Sequence, residues 1–64
     1  MNRRELQKHL RAHGCRLDHH GSRHDIWINP ANNNTAPMPR HRTIAKGTVR
    51  SICRQLDVPL PGGL

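Results

Sequence analysis

The chain has 64 residues, room for one domain, and folding at that size removes only about 60% of the unfolded surface from water, so a stabilising partner is expected. Eleven Lys and Arg against four Asp and Glu give a net charge of +7, spread along the chain, and this points to a polyanion, nucleic acid first, as partner. A hydrophobic fraction of 33%, with one Trp and no Phe or Tyr, contains no stretch long enough for a membrane span and no apolar leader at the N-terminus, so a cytoplasmic protein with no membrane partner is expected. Two cysteines, Cys15 and Cys53, are too few for a disulfide framework; in a reducing compartment they pack as free thiols.

The first element is a helix over Arg3–Ala12. Asn2 with Glu5 three residues on resembles a capping box, Leu6 and Leu10 form the apolar face, and Gly14 supplies a left-handed cap. Arg4, Lys8 and Arg11 make a basic stripe beside that face. Cys15–His19 alternates apolar and polar, and Arg23–Asn29 is β-branched and aromatic at its centre, so two short strands joined around Gly21 form a hairpin. Period-two alternation puts Ile26 and Ile28 on one side as the pair to bury, and sets His24 on that same side. The run NPANNNT, residues 29–35, is a loop, and Ala36–Pro39 is an edge strand because proline lacks the donor that a central strand needs. Thr48 is the expected N-cap of a last helix with Val49, Ile52, Cys53 and Leu56 on its apolar face, ended by Val58-Pro59. Lys46, Arg50 and Arg54 repeat a basic stripe beside it. The order α-β-β-β-α predicts an α+β domain over residues 1–58, two helices on one face of a three-stranded antiparallel sheet, with 59–64 as a flexible tail.

Three kinds of chemistry compete for the stretch HHGSRHDIWINP, residues 19–30. Cys15, His20 and His24 could join a metal site, but a structural zinc wants four ligands in close pairs and no fourth stands near, so no metal is expected. Nucleic-acid binding would draw phosphate contacts from Arg3, Arg4, Lys8, Arg11, Arg40, Arg42, Lys46 and Arg50, with Trp27 as the sole stacking platform. Charge alone does not choose between RNA and DNA. Catalysis is the third: a histidine titrating near neutrality can take a proton from a ribose 2′-hydroxyl or give one to a leaving 5′-oxygen while Arg or Lys steadies the phosphate. Against it stands His24's place on the side of Ile26 and Ile28, which requires either the strand's start or a bulge.

Beyond these local readings, an opening helix, G-x-x-H-D-I-aromatic-x-N-P at Gly21–Pro30, M-P-R-H at Met38–His41 and I-A-K-G-T-V-R-S-I-C-R-Q-L at Ile44–Leu56 together resemble the HicA family of bacterial toxins. The resemblance runs over nearly the whole chain, and order and spacing agree together. It implies a fold similar to the double-stranded-RNA-binding domain, messenger-RNA cleavage without a ribosome, no cofactor, and neutralisation by a HicB-like antitoxin. It carries the catalytic role to His24, leaving His19 and His20 substrate-facing or solvated. The chain departs from the common pattern in two places: Arg23 stands between the Gly-Ser pair and the histidine, and Trp27 stands where Tyr or Phe is usual.

On that resemblance His24 is the expected acid or base for attack of the 2′-hydroxyl on phosphorus. Arg23, Arg40, His41 and Lys46 are the expected phosphate ligands, Lys46-Gly47-Thr48 at a helix start offers amides to an anion, and His41 is the first candidate for a second proton-transfer group. The competing readings are a non-catalytic RNA- or DNA-binding module and a basic protein that docks on an acidic partner.

Overall fold

The computed structural model describes residues 1–64, in the order α1 (Arg3–Ala12), β1 (Arg16–His20), β2 (His24–Asn29), β3 (Asn34–Pro39) and α2 (Lys46–Leu56). The strands form one antiparallel sheet in the order β1-β2-β3. This is the expected α+β arrangement. Leu6 and Leu10 of α1, Trp27 of β2, Ala36 and Met38 of β3, and Val49, Ile52, Cys53 and Leu56 of α2 meet in a single core that both helices cover from one side of the sheet.

Helix α1 begins where its cap dictates. The Asn2 side chain accepts a hydrogen bond from the Arg4 amide at 2.7 Å, satisfying one of the free donors of the first turn, while the return bond expected from Glu5 is not made. Its end is a Schellman motif: Gly14 at φ +85° lets the Cys15 amide reach Leu10 O at 2.9 Å and its own amide reach Arg11 O at 3.0 Å. Helix α2 begins earlier than expected. Ala45, not Thr48, is its N-cap, no side chain caps it, and Thr48 is the third helical residue. The start is set by packing instead: Ile44 and Val49, both buried, occupy the staple positions on either side of the first turn.

The inward face of the hairpin also differs from expectation. Trp27 is 1% exposed and Asn29 6%, whereas Ile26 and Ile28 are half-buried on the opposite face. With one side of the sheet covered, the residue burying the most apolar surface takes the inner position, and period two sends its neighbours outward. Trp27 therefore cannot be the stacking platform. Its ring is enclosed in the core, and the Arg11 guanidinium lies 5.2 Å from its centroid.

Two further features position the site. A bulge at Asp18 shifts the β1–β2 register, so that Leu17 faces Trp27 but His19 faces Ile26 and His20 faces Asp25. The N-terminus is clamped to the link before α2: Arg3 N donates to Arg42 O at 2.8 Å, Ile44 N donates to Met1 O at 2.7 Å, and the Met1 ammonium donates to Ile44 O at 2.8 Å. Residues 59–64, read from the sequence as a flexible tail, lie back on the domain. Pro61 is buried, Leu64 packs on the core, and the His9 ring bonds Pro59 O through Nε2 at 2.7 Å.

Candidate active site and anion groove

His24 opens β2 opposite Pro39, on the open side of the strand turned away from Trp27 and beside β3, against which α2 packs. The conflict between its position and burial disappears, because Ile26 and Ile28 are on that open face too. The ring is exposed and, unlike those of His9, His19 and His20, makes no hydrogen bond within the chain. It lines an open groove of about 330 Å³ with Pro37 and Pro39 on its own side and Gly47, Thr48 and Ser51 of α2 on the other. No acidic residue lies in the first turn of α2, where free backbone amides and the helix dipole favour an anion.

The turn that presents His24 is held from both sides. The Gly21 amide donates to His24 O at 2.9 Å, and a Cβ at Gly21 would stand 2.6 Å from that same oxygen, so only glycine closes the hairpin this tightly. Next to His24, Asp25 accepts from Arg40 Nε at 3.0 Å and bonds His20 Nδ1 at 2.8 Å through the same oxygen. Arg40 also donates to Ser22 O and Gly21 O, tying the hairpin turn to the end of β3. The His20 hydrogen bond is the largest influence on the Asp25 carboxyl; burial, second in size, opposes it, and the hydrogen bond and charge of Arg40 help hold the group below the usual carboxylate range. With Nδ1 bonded to the carboxylate, the His20 ring is oriented and its Nε2 is left for solvent or substrate, the side chain being 71% exposed.

A second groove, about 660 Å³ and without a hydrophobic residue, lies between the start of α1 and the residues after β3. It is lined by Asn2, Arg3, Arg4, Gln7, Arg40 and Arg42. The backbone clamp between Met1–Arg3 and Arg42–Ile44 brings these arginines together. Of the four, only Arg40 has a carboxylate partner.

The expected site residues thus divide. His24 and Thr48 share the first groove, and Arg4 and Arg40 share the second, though Arg40 spends its N–H groups on Asp25 and the hairpin turn. Arg23, His41, Lys46 and Lys8 are exposed but line neither groove, and Trp27 belongs to the core. Sequence reasoning missed Asp25, a lone acid in a basic stretch beside His24. It counted Arg3 and Arg42 among the general phosphate contacts but did not join them in one site, since nothing in the sequence signals that residues so far apart meet. No three His, Cys, Asp or Glu side chains converge as a metal site would require. Burial pushes both thiols, Cys15 and Cys53, up from their ordinary value and keeps them protonated.

Comparison with known proteins adds a family. The model for the HicA toxin of bacterial toxin-antitoxin systems matches residues 3–58, which spans all five elements. No curated protein and no solved structure matches the chain.

Proposed function

The chain belongs to the HicA toxin family, a toxin with an antitoxin partner, and from that premise we propose that it is an endoribonuclease acting on messenger RNA, with His24 as its acid–base residue. One observation carries the reading: an exposed histidine, unbonded within the chain, shares a groove with the acid-free first turn of a helix. A phosphodiester seated against the amides of that turn would present its ribose to the histidine.

In the proposed reaction the 2′-oxygen attacks the adjacent phosphorus as its proton passes to a base, the P–O5′ bond breaks, and the departing 5′-oxygen takes a proton from an acid. The products are a 2′,3′-cyclic phosphate and a free 5′-hydroxyl. His24 serves one of the two proton transfers. For the other the candidates are His41 and His20, the latter with its ring oriented by a carboxylate that Arg40 holds, though neither lines the His24 groove. The reaction is proposed to need no metal, and DNA, lacking the 2′-hydroxyl, is proposed to be inert. Neutralisation is assigned to a HicB-like antitoxin that covers the His24 groove.

Incubation of wild type and His24→Ala with long single-stranded RNA in EDTA tests the proposal, with the fragment ends identified. The wild type should yield cyclic-phosphate ends, and the variant should be slower by about 10²–10⁴-fold while still binding RNA. Cleavage that survives the substitution would remove His24 from the chemistry. Cleavage that stops in EDTA would remove the metal-free mechanism, and intact RNA with both proteins would favour a non-catalytic RNA-binding module.

A further inference from the structure

We propose that the four-arginine groove is a second phosphate subsite, which holds the RNA strand at a phosphodiester away from the one being cut. This rests on the RNA reading above and extends it beyond the His24 groove.

Three observations converge. Arg3, Arg4 and Arg42 have no carboxylate partner, yet the backbone bonds Arg3 N to Arg42 O and Ile44 N to Met1 O draw their chain segments together. Like charges gathered in one concavity repel each other, and a bound anion removes that cost. The rest of the lining is also suited to phosphate and ribose oxygens. Asn2 and Gln7 are neutral amides, no apolar residue intervenes, and arginine forks match phosphate geometry.

Continuity favours an RNA strand over an acidic protein segment. Pro39 lines the His24 groove and Arg40, the next residue, lines the arginine groove, so the two adjoin at the end of β3. A strand with its reactive phosphate at His24 can lead a neighbouring phosphate around Pro39 to Arg3, Arg4 and Arg42. Arg40 is the fixed post between the two sites, since its bonds to Asp25, Gly21 and Ser22 anchor it to the turn that carries His24.

The test measures binding of a long single-stranded RNA across a salt series in the non-cutting His24→Ala background. There the double substitution Arg3→Gln with Arg42→Gln should weaken affinity about tenfold or more and lower the slope of log affinity against log salt by about 1.4, roughly 0.7 for each lost contact. Arg3→Lys with Arg42→Lys should keep the slope. If the Gln pair lowers the melting temperature, the single substitutions carry the test, each expected to lower the slope by about 0.7. An unchanged slope overturns the subsite, and an unchanged slope with lost antitoxin binding reassigns the groove to a protein partner. The two proposals fail separately: a lower slope in a protein that cuts no RNA leaves the subsite standing without the nuclease, whereas His24-dependent cutting with an unchanged slope does the reverse.

Discussion

Trp27 and Asp25 lie two apart in one strand and divide the labour of the hairpin between packing and charge. The indole is enclosed and its Nε1 has no hydrogen-bond partner, so its value is apolar volume. Trp27→Phe should therefore cost no more than about 1–2 kcal/mol, because the lost volume is partly offset by removal of a buried unpaired donor, whereas Trp27→Ala should cost about 3–5 kcal/mol. Denaturant melts check both, and RNA affinity at a temperature where Trp27→Phe is folded should match wild type if the ring never meets a base. Asp25 is the converse case. Its folded-state pKa is depressed, so its stabilisation is present in full above the ordinary carboxylate value and is lost as pH falls through the lower folded value. Wild type should lose stability on acidification below about pH 4, and Asp25→Asn should be less stable at neutral pH and show a shallower acid loss. Melting curves across that range decide it.

The elements differ in how their ends are made. Helix α1 carries its own instructions, a capping Asn2 and a closing Gly14, and its bounds agree with those read from the chain. Helix α2 has the same Schellman bonding at its end, Val58 N to Cys53 O at 3.0 Å and Asp57 N to Arg54 O at 3.2 Å, but the left-handed residue is Asp57 at φ +56°. A Cβ is strained there, and a negative side chain faces the negative end of the helix dipole. Asp57→Gly should raise stability by about 0.5–1 kcal/mol, read as a higher melting temperature with RNA binding unaltered. The same helix explains the buried Asn29, whose Nδ2 donates to Leu56 O at 2.8 Å and whose Oδ1 accepts from Ala31 N at 3.1 Å, fastening the β2–β3 turn to the end of α2. An asparagine inside the run NPANNNT reads as turn chemistry, and only the docked helix reveals the second bond.

At the scale of the whole molecule the domain is thin. Its core cluster holds 11 buried residues, so peripheral packing matters in proportion. Residues 59–64 contribute to it through Pro61, Leu64 and the His9 bond to Pro59 O. Removing them should lower stability by about 1–3 kcal/mol, measured by thermal melting of the truncated chain, since each apolar side chain returned to water costs a substantial part of its burial energy. No helix is long and apolar enough to cross a membrane. The prolines Pro37 and Pro39 leave β3 unable to donate a continuous ladder outward, which protects that edge from pairing with another chain.

Element order and the apolar faces of both helices were legible in the sequence, because 3.6-residue periodicity, cap residues and proline act over neighbouring positions. So was the family, through short motifs in a fixed order. The start of α2, the inward turn of Trp27 and the meeting of His20 with Asp25 were not, since each follows from which surface a neighbouring element covers or from a single bulged residue that changes the register. Least legible of all was the arginine groove. Its residues were visible as charge, but a clamp between the first three residues and Arg42–Ile44 made them one site. Local sequence determined what each segment of this protein would become; backbone hydrogen bonding between distant segments decided which side chains would act together.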